Sequence, residues 1–403
     1  MNLNAQKSTA NSRLKLGGDV VLIALVIGLS LFGVVMVYSA SSFVAENDYD
    51  NAYYYAQKQF IGFLLGLVAM LFTANFDYYK YLKKSWWLCL ASMVLLGAVF
   101  IPKLGIEVYG AKRWLNLGFF TIQPSELAKF CYVFWLAQYF SKDMTRATTF
   151  KGILLPLGVG VAICLLIMLE PNMSITMCVA LVMLIVLFSA GVRVKHFLLI
   201  LIPFIVAVPV LIVLEPYRLR RLTAFLNPWE NPKGEGYQLL QSLYGLASGG
   251  WFGVGLFNSR QKYRFLPFSE SDFILSIIGE ELGFVGTLLL FTAMFLVIAR
   301  GVRIASRAKD FFSYLLSVGV ISVYAVQVMI NALVVTGLIP PTGLPLPLIS
   351  AGNTSLIVFM AGFGVLYNIS TKSQTVELKK PITYSKRPRK NKVNNNPKGF
   401  GIQ

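Results

Sequence analysis

The chain is predicted to be an all-α, polytopic integral membrane protein of about ten transmembrane helices, with a large extracellular loop between the seventh and the eighth. Three observations lead there. Of its 403 residues, 56% are hydrophobic and only 13% are charged, where a soluble domain carries about 25% charge. Mean hydropathy is +0.65. Apolar runs of roughly 18 residues or more, the length that crosses a bilayer, recur along the whole chain. The net charge of +18 would suggest nucleic acid in a soluble protein. Here the cations sit in short loops and the tail, where they orient the chain and meet anionic lipid, so no nucleic-acid partner is expected.

In chain order, residues 1–18 form a polar N-tail with Lys7, Arg13 and Lys15, followed by a first span over 20–39. Ser39-Ala40-Ser41 faintly resembles a signal-peptidase site, but the run before it is too long for a leader, so an uncleaved span is expected. Further spans are expected over 59–76, 85–102, 124–141, 151–169, 173–191, 196–214, 273–299, 311–336 and 353–370. Together they make one membrane domain over 19–370, with its large outer loop at 215–272 and a basic tail at 371–403. Most of the 36 Lys and Arg fall in the N-tail, the tail and alternate short loops, which places both termini in the cytoplasm. Cys89, Cys131, Cys164 and Cys178 lie inside apolar runs without metal-ligand spacing and read as small buried hydrophobes. His196 sits in a short basic loop and is not expected to be catalytic.

Three polar or Gly/Pro-rich stretches interrupt the scaffold, and all three are expected to face outward. The segment 110–130 carries Lys112 and Arg113 beside Trp114, an interfacial pattern. Pro124-Ser125-Glu126 then opens a helix, with Pro in the first turn and Glu at the positive end of the dipole. Glu126 and Lys129 share a face and can pair. They read either as a capped helix with an internal ion pair or as functional charges at the bilayer. The long loop follows, with Arg218, Arg220 and Arg221, then Gln241, a Gly-rich run at 249–255, Lys262 and finally Asp272. Its length and aromatic content suggest an ordered, water-facing cap without an obvious strand or helix pattern. The glycines lack the strand, helix and Lys-Ser/Thr pair of a nucleotide loop. Asp272 and Glu280 are eight residues apart, roughly on one helix face. The third stretch, 337–355, is uncharged but holds four prolines and three glycines. Such irregular backbone at membrane depth must be buried in protein or line a cavity, and Ser350 and its neighbours supply hydrogen bonds there.

At these residues the chain resembles a known family. GAKRWLNLGFFTIQPSELAKF, FLNPWENPKGEGYQLLQSLYGLASGGWFGVGL, SRQKYRFLP, SDFI with IGEELGFVG, and TGLPLPLISAGNTS look like the signature blocks of the SEDS family (FtsW, RodA and SpoVE), in order across nearly the whole membrane region. SRQK before the aspartate resembles the division and sporulation branch. The resemblance implies a ten-helix fold in the bacterial cytoplasmic membrane and glycosyltransferase activity on the undecaprenyl-pyrophosphate-linked precursor lipid II. It also implies a class B penicillin-binding transpeptidase and other divisome or sporulation proteins as partners. The family's essential aspartate falls on Asp272, its motif lysine on Lys129 and its motif arginine on Arg113. The sequence departs from the family pattern at Phe268, Glu270 and Ser271, at Ala351, Asn353 and Thr354, and at 170–174.

The implied reaction attaches the 4-hydroxyl of an acceptor sugar to the anomeric carbon of a lipid-pyrophosphate donor, with inversion. Asp272 is the expected base, and a neighbour such as Glu270 is expected to raise its pKa into a useful range. Lys129, Arg113, Arg218 and Lys262, in falling order, are candidates to hold the leaving pyrophosphate. Glu126, Gln241, Glu280 and Ser350 complete the substrate-binding set. Carboxylate and phosphate oxygens suit a divalent cation such as Mg or Mn, although no metal motif stands out. Two other readings stand beside this one, a lipid II flippase and a non-catalytic scaffold for the transpeptidase.

Overall fold

Polar caps decide where the helices begin. The computed structural model describes residues 17–108, 111–116, 118, 121–213 and 216–377. Most of the basic tail, the N-tail before residue 17 and Glu215 therefore lie outside the described residues. Asp19 caps α1 (Val20–Tyr49) by accepting the Leu22 N–H at 3.1 Å. After α2 (Tyr54–Asn75), Asp77 caps α3 (Tyr78–Ala98). Pro124 opens α4 (Pro124–Lys142) with Glu126 in its first turn, as expected. Thr149 caps α5 (Phe150–Leu169) and Asn172 caps α6 (Met173–Ser189). Next come α7 (Val194–Val213), α8 (Pro216–Leu226), α9 (Tyr237–Gly249) and α10 (Ile274–Ser306). Asp310 and Ser313 form a reciprocal capping box on α11 (Phe311–Val335), and α12 (Asn353–Glu377) closes the described chain.

Six of these helices are long and apolar enough to cross a membrane, namely α1, α2, α5, α10, α11 and α12 through Ser373. The apolar segments Met173–Ser189 and Val194–Val206 are shorter. The chain is thus a multi-pass membrane protein, mostly helical. Its outward faces carry large apolar side chains such as Phe72, Leu165, Phe188 and Phe295, while Tyr132, Tyr324, Phe359 and Phe363 are buried between helices. In lipid, helices associate through close packing and small residues rather than through water exclusion. The α2–α12 contact is of this kind: a Cβ on Gly364 would lie 2.1 Å from Thr73 Oγ1.

One expectation needs correcting, and one feature was not foreseen. The segment before α4 is not all loop. It forms a small antiparallel sheet of β1 (Gly105–Val108), β2 (Ala111–Asn116) and β3 (Thr121–Ile122), in the order β1-β2-β3. Ile106 lies opposite Trp114 and Leu115 opposite Ile122, with a register shift between Ile106 and Glu107. Likewise the long loop is not free of helix, because α8 and α9 lie within it. Leu239 and Leu240 of α9 are buried, so an amphipathic turn of helix docks there.

The loop after α9 is fastened to α10 where that helix kinks. Gly283 has φ 66 and ψ −167, outside helical geometry. Across the kink, Val254 N–H donates to the Glu280 carbonyl at 2.9 Å and Gly255 N–H to the Glu281 carbonyl at 3.1 Å. Phe284 N–H returns a bond to the Gly250 carbonyl at 2.8 Å. These bonds satisfy backbone groups freed by the kink. Gly253, at φ +80, sits so close that a Cβ would lie 2.1 Å from the Glu281 carbonyl oxygen. Gly253→Ala is therefore expected to cost about 1–2 kcal/mol from the left-handed backbone alone, before any clash. Gly97→Ala on α3, with open space around it, should gain about 0.5–1 kcal/mol. Unfolding midpoints in detergent read both, and equal midpoints for the two variants would contradict the close approach.

Candidate active site

Asp272 stands where the long loop turns into α10, partly exposed at one lip of the bundle. Its position is set by irregular backbone on both sides. Phe268 adopts φ 56, and its carbonyl accepts the N–H groups of Ser271 at 3.1 Å and Phe273 at 3.3 Å. The opposing wall is the segment 337–352, where Gly343 takes φ +79 and comes so near that a Cβ there would lie 3.2 Å from Asp272 Oδ2.

Side chains from the helices hold that wall in place. Gln327 of α11 donates to the Pro345 carbonyl at 3.0 Å. Asn331, one turn on, donates to the Leu344 carbonyl at 2.7 Å and to the Asp272 carbonyl at 2.8 Å, and so clamps both walls together. Ser350 accepts the Leu346 N–H at 2.7 Å and donates to the Ser271 carbonyl at 2.6 Å. Gln59 of α2 donates to the Ser350 carbonyl at 3.0 Å, and Ala351 N–H donates to the Glu270 carbonyl at 2.9 Å. This is how uncharged irregular backbone survives at membrane depth: its acceptors are met by buried amides and hydroxyls.

The electrostatics around Asp272 are mixed. Burial pushes its carboxyl up to about 6, and the neighbouring Glu270 adds to the rise. Arg113 and Arg221 pull the other way. Glu270 is itself raised, chiefly by burial. Arg113 donates to the carbonyls of Glu170 at 3.1 Å and Pro171 at 2.6 Å, and Arg221 to that of Pro341 at 3.3 Å. Arg221, Gln238, Pro267, Phe268 and Pro341 line a cavity of about 220 Å³, of which Asp272 is not a wall. Glu170 is fully buried, neither carboxylate oxygen has a hydrogen-bond partner, and burial raises it to about 8 against the pull of Arg113.

The other expected site residues are placed unevenly. Lys129 is 2% exposed. It donates to Glu126 at 3.0 Å and to Gln327 Oε1 at 2.6 Å, with the Phe359 ring 5.5 Å away. Through Gln327 it supports the Pro345 turn, so it positions the wall rather than leading the cations that face Asp272. Lys262 is also buried, 3.7 Å from Glu281, and donates to the Phe257 carbonyl. Glu280 accepts from the Ser259 hydroxyl and from Arg260 N–H at 3.0 Å. From Ile274 to Glu280 the helix rises about 9 Å at ~1.5 Å per residue, which carries Glu280 away from Asp272 at the helix start. Lys262 and Glu280 thus latch the loop to the kinked helix instead of turning toward the aspartate. Ser350 spends its hydroxyl on backbone. Gln241 is half-buried on α9, and Arg218 lies on α8 with its side chain outside the described residues. Among the described residues no three His, Cys, Asp or Glu side chains gather to hold a metal. Asp272 and Glu270 could supply carboxylate oxygens to Mg or Mn, with phosphate oxygens and water filling the rest of about six positions.

Comparison with known proteins agrees with this fold. The FTSW_RODA_SPOVE family, described as cell cycle protein, matches residues 19–375. The chain belongs to this family. It is 38% identical to stage V sporulation protein E of Bacillus subtilis over 361 residues, covering 89% of this chain and 99% of that protein. It is 40% identical to a probable peptidoglycan glycosyltransferase FtsW of Trichlorobacter lovleyi over 356 residues, covering 87% and 93%. Among solved structures, one described as the structural coordination of polymerization and crosslinking by a peptidoglycan synthase complex superposes with TM-score 0.74 at 28% identity, covering 89% of this chain and 99% of that one. The rod shape determining protein RodA of Thermus thermophilus superposes with TM-score 0.65 at 25% identity, covering 89% and 98%.

Sequence reasoning overlooked Gln59, Gln327 and Asn331, the polar residues that hold this family member's Asp272 in place. Gln327 and Asn331 stand one turn apart inside an apolar run, and that isolation was the available signal; Gln59 follows Gln57 and Lys58 at a polar helix start and carries no such mark. The buried Glu126–Lys129 pair gives a direct test of the scaffold. Lys129→Met strands Glu126 in the bundle and is expected to cost about 3–5 kcal/mol. The double variant Glu126→Gln/Lys129→Met should recover most of that loss in chemical unfolding. A neutral Lys129→Met would show that the pair does not hold the bundle.

Proposed function

We propose that this chain is a peptidoglycan glycosyltransferase that polymerises lipid II into β-1,4 glycan strands at the outer face of the bacterial cytoplasmic membrane. The observation that carries the reading is Asp272: a partly exposed carboxyl raised to about 6 by burial and Glu270, set at the lip of an apolar bundle beside two guanidinium groups. A base poised near neutral pH is what proton removal from a sugar hydroxyl requires. The family supports the same reading, since relatives across most of the chain's length bear the name peptidoglycan glycosyltransferase.

In this mechanism the acceptor's 4-hydroxyl oxygen bonds to the donor's anomeric carbon as its proton passes to the Asp272 carboxylate. The bond from that carbon to the pyrophosphate oxygen breaks, and the undecaprenyl pyrophosphate leaves with the electron pair. Attack from the opposite side turns the α-linked donor into a β-linked strand. Arg113 and Arg221 stand ready for the charge that develops on the leaving group.

The concentration of Lys and Arg in the tails and alternate short loops supports placing both termini in the cytoplasm, with Asp272 on the far side. A class B penicillin-binding transpeptidase is the proposed partner, in line with a structural neighbour described as coordinating polymerization with crosslinking. Service in septal division or in spore cortex synthesis both fit the relatives named above.

The test is polymerisation of fluorescent lipid II by purified protein in detergent, with the transpeptidase supplied. Wild-type protein should yield glycan ladders, and Asp272→Ala should lower the rate by about 10²–10⁴-fold, the usual share of a general base. Detergent has no second leaflet, so a flippase would give no ladder at all. Ladders undiminished by Asp272→Ala would remove the aspartate from the chemistry.

A further inference from the structure

The far end of α10 carries a second concentration of charge. Beyond the kink at Gly283 the helix runs on to Ser306, about 35 Å at ~1.5 Å per residue, so its last turns lie at the opposite membrane face from Asp272. Arg300, Arg303 and Arg307 follow one another there at spacings of three and four. At ~100° per residue they fall within about 60° of one another on a single face. With Asp19, Val20 and Ser370 they line a cavity of about 320 Å³ between the start of α1, the end of α10 and α12. Arg300 is 3.5 Å from Asp19, whose carboxylate also caps α1. Among the described residues, Arg303 and Arg307 have no carboxylate partner.

Arginines at a helix C-terminus answer the helix dipole, which accounts for the charge but not for the hollow. The hollow also continues. Val20 and Val21 belong both to its wall and to that of a second cavity of about 450 Å³, lined further by Ala24, Leu25, Gly28 and Ala293. That second cavity is an apolar groove between α1 and α10. A Cβ built on Gly28 meets nothing within 4 Å, so its floor is open. From Val20 to Leu29 the groove runs about 14 Å at ~1.5 Å per residue, close to half of a ~30 Å hydrocarbon core. A cationic chamber at headgroup level thus opens onto a hydrocarbon trough one leaflet deep.

We infer that this composite groove binds an anionic glycerophospholipid, its phosphate between Arg303 and Arg307 and one acyl chain along α1 and α10. The trough matches an acyl chain confined to one leaflet, not a polyprenyl chain several times longer. The lipid joins the ends of α1, α10 and α12, the same three elements that Asp19, Arg300 and Ser370 already tie together: Asp19 N–H donates to Ser370 Oγ at 2.9 Å. The inference does not depend on the polymerase reading, because it concerns the other end of the bundle and its readout is binding.

The experiment is native mass spectrometry of the purified full chain in neutral detergent, titrated with phosphatidylglycerol or phosphatidylcholine. Two arginines near a lipid surface should favour the anionic lipid by about thirtyfold. Arg303→Gln/Arg307→Gln should erase that preference. Gly28→Leu should weaken phosphatidylglycerol several-fold by filling the trough, while the arginines remain. Unchanged elution and thermal midpoint of each variant show that it is folded. Equal binding of the two lipids by wild type, or a preference that survives the double arginine variant, overturns the inference. So does displacement of phosphatidylglycerol by millimolar inorganic phosphate with Gly28→Leu silent, which would mark a simple anion site. Tighter, arginine-dependent binding of a polyprenyl phosphate would overturn it in favour of a carrier-lipid site.

Discussion

Backbone that leaves helical geometry inside a lipid bilayer must find every hydrogen-bond partner within the protein. The segment 337–352 is irregular backbone packed between helices, and its partners come from single polar residues on those helices: Gln59 on α2, Gln327 and Asn331 on α11. Because Asn331 also binds the Asp272 carbonyl, the demand for hydrogen bonds and the placement of the aspartate are one constraint. A carboxylate at the lip of an apolar bundle is unstable unless something rigid holds its neighbours. Here the rigid element is a broken helix connection, braced from below by the Lys129–Gln327 contact.

Charge in the rest of the outer region is mostly spent on architecture. Glu280 and Glu281, buried within α10 near its kink, receive Ser259, the Arg260 N–H, Ser39 and Lys262. They anchor the descending loop at Gly253 and so fix the level at which the next residues climb back to Asp272. Buried ion pairs of this kind add little net stability beside apolar packing, but breaking one leaves an uncompensated charge. What faces the solvent is a smaller set, with Asp272, Arg113, Arg221 and the Phe268 cavity in one neighbourhood. Glu170 lies behind Arg113 with both of its oxygens unmet.

Much of this was legible beforehand. Pro124 and Glu126 marked the start of α4, and the apolar run after Asp272 announced α10, because caps and hydropathy are local signals. The strands at 105–122 escaped notice since each is short and the pairing slips by a bulge between Ile106 and Glu107. Helix α9 was hidden by the glycines and charges around it, although Leu239 and Leu240 supply its buried face. Within the site, Asp272 and Arg113 were found through the family resemblance. The Glu126–Lys129 pair was legible from spacing, but the contacts of Lys129 with Gln327, and of Lys262 and Glu280 with the loop, were not, because spacing along a helix says which face a side chain shares and nothing about the partner waiting there. Arg221 was seen only as one of a cluster, and its approach to Pro341 is a tertiary fact.

The most direct measurement is the single-turnover polymerisation rate across pH, for wild type and for Glu270→Gln. Asp272 must be ionised to accept a proton, and its carboxyl is pushed up to about 6 by burial and by Glu270. The rate should therefore fall as pH drops through about 6 in the wild type. Removing the Glu270 charge lowers the Asp272 pKa, so the acid limb should slide to lower pH in the variant. A limb that stays in place or moves upward would contradict Asp272 as the base.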